Sequence, residues 1–248
     1  MATVIEHLEF NINNFRNRKT LMLNKLDEAI KRGEVDKEVL PHLEILNSFP
    51  FCFTTSSCSG RIALIDAPLV GPKYESKKAY RWHSPVDADI VWEKINSYTP
   101  GHILWLKYDS FIISLSLCSI DWATFFIKLA RYLNLKDSGI RSINPRAGYV
   151  NMDFMSTEKI STPIRTRKKI LIDYEYFNSL MDIANFLMQK NKIKLSLLIE
   201  CLTLLKDWLN EHPRCIPELK IFDPIISRYR QKINELKSTH TFKKYELL

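Results

Sequence analysis

The sequence contains little glycine and proline. Its 248 residues include 6 Gly and 11 Pro, together about 7% of the chain against roughly 12% in average proteins. This excludes a collagen-like chain and argues against a disordered one. With 46% hydrophobic and 26% charged residues, the composition is that of a globular protein with a sizeable core.

Long apolar runs and targeting patterns are also missing. No segment approaches the ~18 to 20 uninterrupted apolar residues that a membrane helix needs. The first residues, Met1 to His7, lack the basic-then-apolar order of a signal peptide. We therefore expect a soluble cytoplasmic protein with no membrane partner.

Metal-binding and disulfide patterns are absent in the same way. The five cysteines form no CxxC pair and no ligand-like spacing with the six histidines. An odd number of cysteines in an intracellular chain predicts reduced thiols. We expect neither a disulfide framework nor a bound metal.

Positive charge is in excess. Lys plus Arg number 36 and Asp plus Glu number 28, giving a net charge of +8 and an isoelectric point near 9.1. Such a charge suits a nucleic-acid partner, because each neutralised phosphate releases a counterion. A mildly basic enzyme without a polyanionic partner carries the same charge, so charge alone leaves both classes open.

The apolar periodicity changes several times along the chain and predicts a mixed α/β fold. Helical patterns occupy 11–32, 36–46, 121–133, 173–209 and 225–236. Strand-like patterns occupy 51–55, 61–65, 78–83, 103–108, 111–117 and 149–155. We predict a single mixed domain, residues 1–210, with a central sheet framed by N- and C-terminal helices, followed by a basic helical extension at 211–248.

The most unusual segment is Thr54-Thr55-Ser56-Ser57-Cys58-Ser59-Gly60-Arg61, between two strand-like runs. Its small side chains leave backbone amides accessible, and successive turn amides bind anions. Arg61 adds a fixed cation that can hold a carboxylate or phosphate, and Gly60 permits positive φ. The alternative is a plain polar hairpin turn. Neither GxxxxGK[ST] nor GxGxxG occurs, so the sequence favours neither a phosphate loop nor a Rossmann site.

This segment, the signature, resembles that of the wybutosine-synthesis methyltransferase family, in particular its archaeal type. Further family motifs follow in the family's order. They are Gly33-Glu34-Val35-Asp36, Arg81-Trp82-His83-Ser84-Pro85, Ile103-Leu104-Trp105-Leu106-Lys107, Asp137-Ser138-Gly139-Ile140-Arg141, Ser156-Thr157 with Pro163, and Asn185. The resemblance spans roughly residues 13–205.

The resemblance implies a fold and an activity. Family members have their own α/β fold, distinct from Rossmann methyltransferases. They use S-adenosyl-L-methionine to methylate a ring nitrogen, N4, of a 4-demethylwyosine-type guanosine 3′ of the anticodon of tRNA-Phe. A non-catalytic tRNA- or RNA-binding module that retained the fold is the alternative.

The resemblance also implies site residues. The catalytic set is His83, Asp36 and Ser57. The cofactor-binding set is Thr54, Ser56, Cys58, Gly60 and Arg61. Alternatives remain for two of the catalytic residues: Asp27 is a second candidate for the active-centre aspartate, Asp36 also fits an N-cap, and His83 also fits a structural histidine. Where some relatives carry a further histidine, this chain has Ser114.

Candidate RNA contacts complete the interpretation. Tyr80, Trp82 and Trp105 can stack on bases or belong to the core. The candidate backbone contacts are Lys77, Lys78, Arg81, Arg165, Arg167, Lys168 and Lys169. Cations of the C-terminal extension either touch the tRNA or form a solvated helix face; they are Arg214, Lys220, Arg228, Arg230, Lys232, Lys237, Lys243 and Lys244.

Overall fold

The computed structural model of the protein describes residues 10–71, 76–213 and 215–238. Six α-helices lie in this part of the chain: α1 (Ile12–Lys31), α2 (Leu40–Ser48), α3 (Ala88–Ser97), α4 (Ile120–Tyr132), α5 (Tyr174–Glu211) and α6 (Asp223–Lys237). A short 3₁₀ turn, Leu219–Phe222, precedes α6. Within the same residues, no helix combines the length and apolar character required to cross a membrane.

Eight strands accompany these helices. They are β1 (Cys52–Cys58), β2 (Arg61–Ala67), β3 (Lys77–Trp82), β4 (Ile103–Asp109), β5 (Ile112–Leu117), β6 (Gly139–Asn144), β7 (Tyr149–Met155) and β8 (Lys159–Thr166). They form two four-stranded sheets, in the orders β1-β5-β7-β6 and β3-β2-β4-β8. Every pairing in both sheets is antiparallel. The mixed α/β, non-Rossmann class is confirmed, and the strands that we expected in one central sheet are divided between two.

The chain forms two compact units, each built on one sheet. The first comprises Met1–Ser59, Phe111–Thr157 and Lys194–Tyr229, and the second comprises Gly60–Ser110, Glu158–Ile193 and Arg230–Leu248. The chain passes from the first unit to the second inside the signature, after Ser59. The predicted division at residue 210 stays a prediction.

The core of the first unit lies between its sheet and its helices. Apolar side chains of α2, α4 and the C-terminal part of α5 pack on β5 and β7. Phe126 of α4 lies 5.4 Å from Phe154 of β7, ring centroid to centroid. On α1, Phe15 is buried and lies 5.2 Å from Phe53 of β1. These contacts fix α1 beside the signature.

The second unit has its own core. Inward-facing residues of β2 and β4 pack against α3 and the first half of α5. Tyr108, fully buried, donates a hydrogen bond from its hydroxyl to the carbonyl of Leu187, 3.0 Å away. Buried Asp66 accepts from the amides of Gly101 and His102, at 2.8 and 2.9 Å. These bonds fix the ends of β2 and β4.

Four elements differ from the sequence expectations, and the first is α3, which was not predicted. The prediction that Asp36 caps α2 is wrong, because α2 begins at Leu40, whose preceding cap residue is Val39. β6 was missed because it is an exposed edge strand without the alternating pattern of a half-buried strand. β8 was also not predicted. It contains Pro163, which is tolerated because β8 lies at a sheet edge.

Candidate functional site

The signature is mostly a strand. Thr54–Cys58, here called the signature strand, is the C-terminal part of β1 and pairs with β5. The alternative interpretation, a plain polar hairpin turn, is wrong, because β1 and β2 belong to different sheets and do not pair with each other. The register shifts between Thr54 and Ser56, which marks a bulge at Thr55. Bulges reorient side chains, and Thr55 and Ser56 are both exposed here.

Asn47, near the end of α2, holds the start of the signature strand. Its amide nitrogen donates to the Thr54 hydroxyl at 2.9 Å, and its amide oxygen accepts from the Thr54 backbone N–H at 2.8 Å. Thr54 is buried, so both bonds satisfy groups that water does not reach. Asn47 is therefore the residue that fixes the bulge. Sequence reasoning treated it only as part of a helix stop.

Asp36 holds the other end of the signature strand. One carboxylate oxygen accepts from the backbone N–H of Ser59 at 3.0 Å and from its hydroxyl at 3.2 Å. Ser59 is buried. The Asp36 carboxylate thus lies at the signature rather than at the start of α2. The alternative candidate Asp27 is exposed on α1.

A cavity of about 300 Å³ lies against the signature strand. Its apolar wall comes from α1 and the residues near α2, and its polar rim carries hydroxyls and two opposite charges. The lining is Met22, Lys25, Leu26, Ala29, Glu34, Val35, Leu43, Thr54, Thr55, Ser56 and Ser57. We call it the signature cavity. Its volume is at the lower end of the range for ligand pockets, and its mixture of apolar wall and convergent polar groups is typical of them.

The second unit contains the remaining predicted residues at one end of its sheet. Gly60 has φ +96°, a conformation that favours glycine, and Arg61 begins β2. Trp82, the last residue of β3, pairs with Ile62, so His83 follows β3 at the end of the sheet where Arg61 begins β2. On the other side, Arg61 pairs with Asp109 of β4. Arg61 and Asp109 are therefore neighbours at this end of the sheet, next to the segment that carries His83, and Asp109 was not predicted.

Asn185 of α5 fixes the segment that follows His83. Its side-chain oxygen accepts from the backbone N–H of Val86 at 3.0 Å, and its amide nitrogen donates to the Val86 carbonyl at 2.8 Å. His83 is half-buried and lies three residues before Val86. The motif asparagine therefore has a positioning role in the second unit.

Comparison with known proteins identifies the family. The family model described as Methyltransferase TYW3 matches residues 17–203. A Pyrococcus abyssi protein named tRNA(Phe) 7-((3-amino-3-carboxypropyl)-4-demethylwyosine(37)-N(4))-methyltransferase 1 is 35% identical over 182 residues, 73% of this chain and 92% of that protein. The chain belongs to the Methyltransferase TYW3 family. The resemblance found in the sequence is confirmed.

Other TYW3 relatives agree. The methyltransferase of the same name from Methanocaldococcus jannaschii, without the final numeral, is 31% identical over 169 residues, covering 68% of this chain and 85% of its own. The solved structure of the PH1069 protein from Pyrococcus horikoshii has a TM-score of 0.72 at 32% identity, covering 77% of this chain and 97% of that one. The chain is thus an enzyme of the methyltransferase class, which implies a methyl donor.

Two further TYW3 motifs meet within the first unit. The Ser138 hydroxyl accepts from the Met155 backbone N–H at 2.9 Å and donates to the Met155 carbonyl at 3.2 Å. Next to Met155, fully buried Ser156 accepts 2.6 Å from the ammonium of Lys194, which is only 1% exposed. Sequence reasoning missed Lys194, because a lysine between Ile193 and Leu195 on a helix carries no sign of burial.

The candidate RNA contacts are placed as follows. Tyr80 and Trp82 are half-buried and stacked, with centroids 6.1 Å apart, and the Trp105 indole donates to the Ala67 carbonyl at 3.3 Å. Arg165 donates to the Asn96 carbonyl at 2.8 Å, at the end of α3. The other cations of this set are exposed: Lys77, Lys78, Arg81, Arg167, Lys168 and Lys169.

In the C-terminal extension, Arg228 of α6 pairs with Glu200 at 3.1 Å. Lys220, Arg230 and Lys232 lie in the 3₁₀ turn and α6. Arg214, Lys243, Lys244 and the Lys237 side chain lie outside the described residues, as does the segment Met1 to His7. The role of the extension stays a prediction.

Proposed function

We propose that the protein transfers a methyl group from S-adenosylmethionine to N4 of a 7-(3-amino-3-carboxypropyl)-4-demethylwyosine in tRNA-Phe, in the cytoplasm. One observation carries the proposal: in a TYW3 methyltransferase, the signature strand faces a ligand-sized cavity. The net charge of +8 suits the tRNA substrate. The substrate is that in the names of the archaeal relatives.

The signature cavity suits one part of this methyl donor. An amino-acid end carries both a carboxylate and an ammonium group, and the cavity offers Lys25 and Glu34 as opposite charges. Glu34 also accepts two hydrogen bonds from Arg32, at 2.9 and 3.0 Å. Hydroxyls of Ser56 and Ser57 add hydrogen-bond partners. Met22, Leu26 and Val35 supply apolar contacts. We assign Lys25 to the carboxylate and Glu34 to the ammonium.

S-adenosylmethionine supplies a methyl carbon on a positively charged sulfur, and transfer breaks the carbon–sulfur bond with its electron pair left on sulfur. The protein's residues do the rest by position and proton transfer. The accepting ring nitrogen sheds a proton, which we assign to His83, because histidine is the side chain that most often acts as a general base.

The remaining predicted residues hold the site. We propose that Ser57 and Ser56 bind the donor, together with Thr54 and Cys58 of the same strand. Asp36 fixes the end of that strand through Ser59. Gly60 turns the chain, and Arg61 supplies a cation at the start of β2.

The cofactor assignment is tested by thermal unfolding with S-adenosylmethionine. A ligand that binds only the native state raises the melting temperature. We expect a rise for the wild type, a smaller one for Lys25→Met and for Glu34→Gln, and a wild-type rise for the control Lys31→Met, which removes an exposed charge from the end of the same helix. An equal rise in all four proteins would contradict the assignment to the signature cavity.

The activity is tested by transfer of a labelled methyl group to tRNA-Phe purified from a strain that lacks this methylation step. We expect label in that tRNA and none in tRNA-Phe that already carries the complete modification. Salt-sensitive tRNA binding without any label in either tRNA would contradict the enzyme assignment and favour an RNA-binding module.

A further inference from the structure

A second groove lies in the first unit, outside the signature cavity. It has a volume of about 330 Å³ and runs between α1 and the turn that joins β6 to β7. Its lining is Asn14, Asn17, Arg18, Leu21, Ala147 and Tyr149. We call it the Tyr149 groove. None of the residues assigned above to catalysis or to the methyl donor lines it.

Hydrogen bonds to backbone carbonyls hold the two walls of the Tyr149 groove together. The Asn14 side chain donates to the Arg146 carbonyl at 3.0 Å, and the Asn11 backbone N–H donates to the Pro145 carbonyl at 3.2 Å. Gly148 has φ +84°, and a Cβ there would collide with the Asn11 carbonyl. The helix and the turn are therefore in direct contact, and the groove is preformed.

Arg18 and Tyr149 form the centre of the groove. The guanidinium carbon of Arg18 lies 4.8 Å from the centroid of the Tyr149 ring. Tyr149 is 9% exposed and packs with Phe15 and Phe53, whereas Arg18 is exposed. A buried ring thus supports an exposed, planar cation, which loses less freedom when a ligand binds it.

The charge around the groove has one sign. None of the described residues that line it carries a carboxylate. Residues 12–26 of α1 contain four cations (Arg16, Arg18, Lys19 and Lys25) and no Asp or Glu. The groove thus combines a cation, amide side chains and a supported stacking plane, which are the groups that bind unpaired nucleotides.

We propose that the Tyr149 groove binds an unpaired nucleotide of the RNA substrate. The base stacks on the guanidinium of Arg18, an N–H of Arg18 contacts a phosphate, and Asn14 and Asn17 contact the base edge or the sugar. This inference rests on the proposed function, in which the RNA is the anticodon loop of a tRNA.

The spacing on α1 agrees with an extended RNA strand. Arg18 and Lys25 are seven residues apart, so they lie on the same helix face about 10 Å apart along the axis. Lys25 lines the signature cavity and Arg18 lines the Tyr149 groove. A strand held at the groove therefore passes one or two nucleotides from the signature cavity, close to the target base.

The test compares Arg18→Ala, Arg18→Lys and the control Arg16→Ala. Arg16 is an exposed arginine two residues away, on the opposite face of α1. Two quantities are measured for each protein: the Kd for the substrate tRNA over a range of salt concentrations, and the KM values of both substrates in the transfer assay.

We expect Arg18→Ala to raise the Kd and KM for tRNA about tenfold, with the KM for the methyl donor unchanged. The slope of log affinity against log salt falls by about 0.7, the value for one lost phosphate contact on a single strand. Arg18→Lys restores the slope but not the affinity, because an ammonium does not stack. Arg16→Ala changes the Kd less than twofold.

Three results would overturn the inference: an unchanged tRNA Kd in Arg18→Ala, an equal loss in Arg16→Ala, or full recovery in Arg18→Lys. The binding measurement does not depend on methyl transfer. Weaker RNA binding in Arg18→Ala alone supports the groove even where no methyl is transferred. Wild-type transfer with an unchanged tRNA KM in Arg18→Ala refutes the groove and leaves the proposed function intact.

Discussion

In each unit, an asparagine side chain holds a functional segment through two hydrogen bonds, but the two asparagines differ in their sequence distance from that segment. In the first unit, the amide of Asn47 makes two hydrogen bonds to Thr54 at the start of the signature strand. In the second, the amide of Asn185 makes two to Val86, just after His83. Asn47 is 7 residues from its partner and Asn185 is 99 residues from its own. One anchor is local, and the other ties a loop to a distant helix.

This difference concerns the side-chain anchors, because the backbone of the signature strand itself pairs with the distant strand β5. The side chains that anchor the signature strand, Asn47 and Asp36, both lie within the first 59 residues. The side chain that anchors the His83 segment lies on α5, whose first half packs in the core of the second unit. The signature strand and the His83 segment therefore differ in how far along the chain their anchors lie.

The largest expected effect distinguishes chemistry from binding. His83→Ala removes the proposed base, and we expect the rate of methyl transfer to fall at least about 100-fold, because general bases contribute about 10² to 10⁴. Ser57→Ala removes only a hydroxyl that binds the donor, so we expect a rise of about tenfold in the KM for the methyl donor. Initial rates at varied donor concentration measure both.

Melting temperatures of both proteins provide the control and should remain close to the wild-type value. Wild-type turnover in His83→Ala would remove His83 from the mechanism.

The second largest effect is expected when either anchoring asparagine, Asn47 or Asn185, is replaced. Asn47→Ala leaves buried groups of Thr54 unpaired, and Asn185→Ala does the same to the backbone of Val86. We expect each to lower the free energy of unfolding by about 1–3 kcal/mol, measured by chemical denaturation. In the transfer assay, Asn47→Ala should raise the donor KM, whereas Asn185→Ala should lower kcat.

Asn96→Ala is a matched control, because its side chain is exposed near the end of α3. A change in the same kinetic constant in Asn47→Ala and Asn185→Ala would contradict the different roles that we give to the two asparagines.

Gly60 gives a smaller effect at the passage between the two units. Its φ of +96° is unfavourable for residues with a Cβ, so Gly60→Ala should cost about 1–2 kcal/mol of stability. Gly139→Ala is the control, since a Cβ there meets no atom within 4 Å and its φ lies outside the left-handed region. Equal stability of the two variants in thermal unfolding would contradict the strained-turn explanation.

The smallest effect is a pH dependence of the first unit. His42 is 3% exposed, and its Nε2 donates to the Leu195 carbonyl at 2.7 Å. Burial lowers the pKa of His42 below 6.5. The folded state binds this proton less readily than the unfolded state. The stability that neutral His42 contributes is therefore fully present above about pH 6.5 and is lost as the pH falls toward the pKa of His42 in the folded state.

Denaturation at pH 7.5 and 5.5 measures this dependence for the wild type and for His42→Gln. We expect the variant to lose less stability than the wild type on acidification. An identical loss in both would exclude His42 as its source.

Much of the fold was predictable because amphipathic periods are strong. The patterns of α1, α4, α5, β4 and β7 all lie close to the observed bounds. The distribution of the strands over two sheets was not predictable, because the periodicity of a strand does not show which distant strand it pairs with. α3 was missed, and so were the edge strands β6 and β8.

The sequence predicted the candidate site residues that belong to motifs. It did not predict those whose role depends on their neighbours in the folded structure. Motifs predicted His83, Arg61 and the signature as site residues, and their roles stay predictions. Asn47, Lys194 and Asp109 were missed, because each acquires its role from a neighbour in space. Asp36 was predicted both as a residue of a family motif and as a helix cap, and the cap is wrong because α2 begins at Leu40.

The most direct measurement is mass spectrometry of nucleosides released from tRNA-Phe after incubation with the protein and S-adenosylmethionine. The tRNA comes from the strain that lacks this methylation step. We predict that the tricyclic nucleoside at the position 3′ of the anticodon gains one methyl group, carried by its ring nitrogen, and that His83→Ala produces none. An unmodified tricyclic nucleoside, or a methyl group on any other nucleoside, would contradict the account.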